Sequence, residues 1–168
     1  MKRYVALLRG INVGGRAKVA MADLRAVFES LGFDDVRTYI QSGNVVFGSS
    51  KTVDAAAVEK RIAAEMGVEP TVLLRTAKEM ATVAEGNPFA DTDGLHVTFL
   101  AAKPKGTVEV PEGQPDELAV VGREVYLRCP NGYGRTKVNN TFLEKQLGVP
   151  ATTRNWKTVT TLAELAAG

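Results

Sequence analysis

A chain of 168 residues, 45% apolar and 24% charged, can bury a core without staples, which excludes a disordered or disulfide-dependent class. Its net charge of +2 is too small to announce a nucleic-acid protein by charge alone. The one cysteine, Cys129, excludes an intramolecular disulfide and any all-cysteine metal site.

Met1-Lys2-Arg3 ahead of residues 4–8 imitates a secretion signal, but the apolar run stops at Arg9. That is too short for a signal core or a membrane span, so a cytoplasmic location and no membrane partner are expected. Residues 4–8 read as a buried strand. The loop Arg9-Gly10-Ile11-Asn12-Val13-Gly14-Gly15-Arg16 follows, with three glycines, an arginine at each end and no carboxylate. Leu24, Val27, Phe28 and Leu31 then recur at helical spacing, and Gly32 is a natural stop. Residues 36–40 and 45–47 are β-rich runs around Gln41-Ser42-Gly43-Asn44, a hairpin signal.

A second amphipathic helix is expected over 52–66, capped by Asp54 or Thr52 and ended by Gly67. An extended run at 71–75 follows. The order strand, helix, strand, strand, helix, strand is that of the ferredoxin-like split βαβ unit. Thr76-Ala77-Lys78-Glu79 fits a capping box opening a short helix that closes near Pro88.

Beyond a boundary near residues 86–94, residues 95–100 alternate as a strand with His96 on its opposite face. Residues 103–117 read as a loop, and residues 118–121 and 124–128 flank Gly122-Arg123 as a hairpin of type II′. Thr141-Phe142-Leu143-Glu144 fits a second capping box, with Gly148 as the stop, and Asn155 can cap the last helix. The expected architecture is α+β: two ferredoxin-like (split βαβ) halves with antiparallel sheets and helices packed on one face, plus C-terminal helices. The first half, residues 1–88, has the βαββαβ order and a short helix. The second, residues 89–168, has three strands and two C-terminal helices.

Four blocks carry a resemblance. They are residues 6–15 (Ala-Leu-Leu-Arg-Gly-Ile-Asn-Val-Gly-Gly), 39–47 (Tyr-Ile-Gln-Ser-Gly-Asn-Val-Val-Phe), 139–148 (Asn-Asn-Thr-Phe-Leu-Glu-Lys-Gln-Leu-Gly) and 153–156 (Thr-Arg-Asn-Trp). In this order they resemble the bacterial domain-of-unknown-function family 1697 over essentially the whole chain. The resemblance implies an α+β fold of two ferredoxin-like halves in an uncharacterised bacterial protein, and brings no catalytic assignment with it.

The site is therefore argued from chemistry. Residues 9–18, 130–141 and 151–157 hold seven basic side chains (Arg9, Arg16, Lys18, Arg135, Lys137, Arg154 and Lys157) and no Asp or Glu, so the remainder of the chain carries more acid than base. Glycine-rich backbone and guanidinium forks suit a bound anion, which nominates Arg9, Gly10, Asn12, Gly14, Gly15 and Arg16. The bland reading of the same loop is a tight turn with solvated arginines. Gln41, Ser42 and Asn44 make a neutral donor–acceptor set that also suits plain hairpin chemistry. Tyr133, Arg135, Lys137, Asn139 and Asn140 mix an aromatic, cations and amides, as a stacked base or sugar with a phosphate would require; the bland reading is a solvated loop before a helix. Arg154 precedes a helix start, where anions are favoured. His96 and Cys129 read as residues without chemistry, and no metal site or cofactor is expected.

These candidates predict a phosphate-bearing small molecule or a short nucleic-acid segment bound in a basic inter-domain cleft. One alternative is an acylphosphatase-like or other phosphoryl-group hydrolase, with catalytic candidates Arg9 (phosphate clamp) and Gln41 or Asn44 (water-positioning amide), by fold-level analogy. Another is a structural or interaction scaffold.

Overall fold

A computed structural model describes residues 1–11 and 18–168. The chain divides into two compact units, Met1–Thr82 with Leu162–Gly168, and Val83–Thr161.

The first unit runs β1 (Lys2–Arg9), α1 (Met21–Ser30), β2 (Asp34–Tyr39), β3 (Asn44–Ser49), α2 (Ala55–Met66) and β4 (Thr71–Thr76), the split βαβ order the periodicity predicts. Its antiparallel sheet has the order β2-β3-β1-β4. The pleat sends Tyr4, Ala6 and Leu8 of β1 to one face. There they join Phe47, Val72, Phe28 of α1 and Ile62 of α2 in one core. Phe47 is the centre of that core. Its ring lies 4.4 Å from Phe33, 5.3 Å from Phe28 and 5.6 Å from Tyr4. Helix α2 starts where Asp54 accepts the Ala56 N–H and stops where Gly67 takes a left-handed φ of 68°.

Residues 162–168 belong to this unit. Arg3 donates to the carbonyls of Ala166 (3.2 Å) and Leu165 (3.4 Å), and its third nitrogen pairs with Asp35 at 3.0 Å.

The second unit contains the end of α3 (Ala77–Glu85), then β5 (Leu95–Leu100), β6 (Glu117–Val121), β7 (Glu124–Arg128), a 3-10 turn (Tyr133–Arg135), α4 (Asn140–Leu147), β8 (Ala151–Asn155) and the start of α5 (Trp156–Ala167). The capping box at α3 forms as expected, with both reciprocal bonds between Thr76 and Glu79 in place at 2.8 and 3.1 Å. The second sheet has the order β6-β7-β5-β8, the same topology as the first. Three strands were expected here and four are present. The fourth, β8, reads Ala-Thr-Thr-Arg-Asn and lacks an alternating apolar pattern, yet it pairs with β5 along its length.

The first helix of the split βαβ order is replaced by residues 101–116. Val108 and Val110 of this loop pack on the core of Leu100, Val125, Leu127, Val138, Leu143 and Leu147. The loop also answers a helix end, since Lys105 donates its backbone N–H to the Leu147 carbonyl at 2.8 Å. The β6–β7 turn is type II′: Gly122 has φ 60° and Arg123 is not among the residues with positive φ. Helix α4 is capped by Asn139, which accepts from Phe142 N–H at 2.9 Å, not by Thr141. Glu144, the other half of the expected box, accepts the backbone N–H of Ala151 instead. At α5 the expected cap holds, with Asn155 accepting from Thr158 N–H at 2.8 Å.

Candidate functional site

In the first unit, two chain reversals meet at one end of the sheet. Arg9 closes β1 opposite Thr71 of β4, and Gly10 turns the chain away at φ 89°. The β2–β3 turn lies beside it. The Leu8 N–H donates to the Gly43 carbonyl at 2.9 Å, and Leu7 is registered against Asn44. Gly43 has φ 82°, and a Cβ there would stand 2.8 Å from Ile11 Cδ1 and 3.0 Å from Leu8 Cβ. Only glycine lets the two reversals come this close.

Asn44 holds the turn from inside. Its side chain is fully buried and donates to the Tyr39 carbonyl at 3.0 Å and to Ser42 Oγ at 2.8 Å. Gln41 is exposed and Ser42 half-buried. Ile40 precedes them at φ 50°, a conformation that costs a β-branched residue about 1–3 kcal/mol. Of the predicted set, Arg9, Gly10, Gln41, Ser42 and Asn44 thus share this end of the sheet. Asn12, Gly14, Gly15 and Arg16 lie outside the described residues.

In the second unit the predicted residues divide by role. Tyr133 stacks on His96 with ring centroids 4.7 Å apart, and its hydroxyl accepts the Asn140 N–H at 2.7 Å. Burial pushes the Tyr133 hydroxyl above its ordinary pKa. The Asn140 side chain donates to the Ala151 carbonyl at 2.9 Å and accepts from Thr153 Oγ1 at 2.8 Å. A hydroxyl has one proton, so the 2.8 Å contact between Thr98 Oγ1 and Thr153 Oγ1 is donated by Thr98. Tyr133, Asn139 and Asn140 are therefore engaged in building the unit.

Arg154 is 7% exposed and donates to Thr152 Oγ1 and to the Thr153 carbonyl. Burial pulls its guanidinium down to about 10. Arg135 and Lys137 are exposed and make no ion pair among the described residues.

Two cavities border predicted cations among the described residues, and each also borders carboxylates. A cavity of about 140 Å³ bordered by Arg135 includes Asp116, whose carboxylate accepts from Thr136 Oγ1 at 2.6 Å. A groove of about 460 Å³ beside Lys18 includes Asp23 and Glu65. A phosphate in either place would face negative charge. No group of three or more His, Cys, Asp or Glu side chains that could hold a metal occurs among the described residues. No helix there is long and apolar enough to cross a membrane.

The His96–Tyr133 stack was not foreseen. Its partners are 37 positions apart and belong to a strand and a 3-10 turn, so no local spacing announces it.

The model of a protein family of unknown function, DUF1697, matches residues 1–126. The chain belongs to this family. The match includes the whole β1–β4 sheet and both reversals at its end, with the blocks at residues 6–15 and 39–47, while the blocks at 139–148 and 153–156 lie beyond the matched residues. A solved structure described as that of conserved bacterial protein SP0830 from Streptococcus pneumoniae is similar over 98% of each chain, with a TM-score of 0.70 and 24% identity. That likeness concerns the fold. No curated protein matches the sequence.

Proposed function

We propose that the end of the first sheet, where Arg9 and Gly10 meet the turn carrying Gln41 and Ser42, binds the phosphate group of a small molecule or of a short nucleic-acid segment. The observation that carries this reading is the Leu8–Gly43 hydrogen bond with the Ile11–Gly43 approach, which sets a cationic, acid-free segment beside a polar one. A guanidinium supplies charge and a planar fork, while the amide and hydroxyl supply neutral donors that fix orientation. In the second unit, Arg135 and Lys137 have the exposure that contacts to a nucleic-acid backbone need.

Titrating pyrophosphate, a nucleoside diphosphate and a short single-stranded oligonucleotide into the wild type, Arg9→Ala, Gln41→Ala and Arg135→Ala tests this. Arg9→Ala weakens all three ligands by about tenfold or more, and Gln41→Ala weakens them less. Arg135→Ala weakens the oligonucleotide alone and lowers its salt slope by about one. Equal, salt-insensitive binding by all four proteins overturns the reading. Release of phosphate from an acyl phosphate, abolished by Gln41→Ala, moves the assignment to a hydrolase.

A further inference from the structure

Asp116 is the one carboxylate among the buried polar side chains of the described residues. At 8% exposed it has lost most of its water, and a carboxylate so placed is ordinarily paired with a cation or held by several donors. Here two neutral side chains meet it. The Thr136 hydroxyl donates to Oδ2 at 2.6 Å, and the Cys129 thiol, a weak donor, lies against it. Among the described residues no Lys, Arg or His forms an ion pair with it.

Two chain reversals of the second unit surround this carboxylate. In the first, the Gln114 N–H donates to the Pro111 carbonyl at 3.1 Å, just before the chain enters β6. In the second, Gly132 turns the chain at φ 89° after β7, its N–H on the Cys129 carbonyl at 3.0 Å, and the 3-10 turn then carries Arg135. The Thr136 hydroxyl is fixed from both sides, accepting the Val138 N–H at 3.0 Å while it donates to Asp116. Between the reversals is the cavity of about 140 Å³, bordered by Gln114, Asp116, Asn131, Arg135 and Thr136. That is roughly ten times the space one buried water needs, and well short of the about 300 Å³ at which pockets for drug-sized ligands begin. It suits a molecule of a few heavy atoms.

The two charges on this cavity are opposite, yet they do not pair with each other. Arg135 is exposed and forms no ion pair among the described residues. An inorganic anion drawn to Arg135 would face Asp116, and a metal ion drawn to Asp116 would face Arg135. A guest carrying both charges answers both. The side-chain amides of Gln114 and Asn131 have no hydrogen-bond partner among the described residues, and add neutral donors and acceptors beside them.

We propose that this cavity binds a small zwitterion of the amino-acid class, its ammonium on Asp116 and its carboxylate on the guanidinium of Arg135. The guanidinium offers a carboxylate two parallel N–H groups, and the ammonium gives Asp116 the cation its burial calls for. The site lies wholly in the second unit and does not rest on the phosphate reading of the first.

Titrating glycine, L-alanine and β-alanine into the full chain, followed by amide NMR shifts, tests the proposal, with ethylamine and propionate as single-charge controls. At least one zwitterion shifts the Asn131, Gly132 and Thr136 amides and saturates in the millimolar range or below, while both controls bind about tenfold or more weakly. Arg135→Ala and Asp116→Asn each weaken the zwitterion by about tenfold or more. The asparagine keeps an acceptor for Thr136 and removes only the charge. If Asp116→Asn still fails to fold, Arg135→Ala decides: it loses the zwitterion but keeps the weaker binding of ethylamine, which a disturbed fold would not. No saturation by any of the three at tens of millimolar overturns the proposal. So do controls that bind as tightly as the zwitterion, or zwitterion binding that Arg135→Ala leaves unchanged.

Discussion

The carboxylate of Glu59 in helix α2 accepts the backbone N–H of Val72, the second residue of the edge strand β4, at 2.7 Å. Glu144 in α4 does the same for Ala151 in β8. Each helix thus covers its neighbouring strand twice over, with apolar side chains on the face and a carboxylate at the rim. Removing the acceptor leaves a half-buried amide unsatisfied. Glu59→Ala is expected to cost about 1–3 kcal/mol, and Glu59→Gln, which still accepts, less than about 1 kcal/mol. Urea unfolding of both variants measures the difference.

Gly94 and Gly113 both have positive φ, 71° and 84°, but only one is hemmed in. A Cβ on Gly94 would lie 2.3 Å from the Cys129 carbonyl oxygen, while nothing lies within 4 Å of one on Gly113. Gly113→Ala should cost only the conformational penalty of about 1–2 kcal/mol. Gly94→Ala must also push β5 and β7 apart, because the Cys129 N–H bonds the Gly94 carbonyl at 2.8 Å. Its cost should exceed about 3 kcal/mol, read as a loss of cooperative thermal unfolding near the wild-type temperature.

Burial holds His96 below its ordinary 6.5, while the hydrogen bond to the Gly94 carbonyl acts the other way. The folded chain therefore takes up this proton less readily than the unfolded chain. The stability contributed by a neutral His96 is complete above about pH 6.5 and is lost as pH falls through the lowered folded value. His96→Gln removes this dependence. Comparing unfolding free energies of the wild type and the variant at about pH 7.5 and pH 5 isolates it, since other titrating groups cancel in the difference.

Burial first, and the negative charge of Asp116 second, push the Cys129 thiol up to about 11. With 1% of its surface exposed, it offers a disulfide reagent neither thiolate nor access. Native protein at about pH 8 should react orders of magnitude more slowly than a free thiol, and at once when denatured. Asp116→Asn should lower the pKa without speeding the reaction much, because access still limits it.

The parts of the fold legible in the sequence are those encoded by neighbours. Asp54, the Thr76–Glu79 pair and Asn155 act on backbone groups within three residues, so their types announced their work. Gly122-Arg123 did the same for the second hairpin. Strand β8 was hidden because Thr152 and Arg154 on one face and Thr153 on the other are all polar: Arg154 donates to Thr152 and to the Thr153 carbonyl, and Thr153 meets Thr98 55 positions away. The candidate site was legible in part. The glycine in Gln41-Ser42-Gly43-Asn44 signalled a turn, but nothing local says that this turn abuts Leu8 and Ile11. Nor does residue type distinguish Asn44, sealed inside its turn, from the exposed Gln41 three positions earlier.

The grip of Arg3 on the carbonyls of Leu165 and Ala166 ties one segment of a growing chain to another made 162 and 163 residues later. A ribosome delivers residues 1–82 well before residue 162, with all of the second unit made in between. During that interval the guanidinium of Arg3 has no terminal helix to hold, and β1 waits beside an unfinished flank. Translation speed through residues 83–161 therefore sets how long the first unit stays incomplete and open to chaperones or proteases.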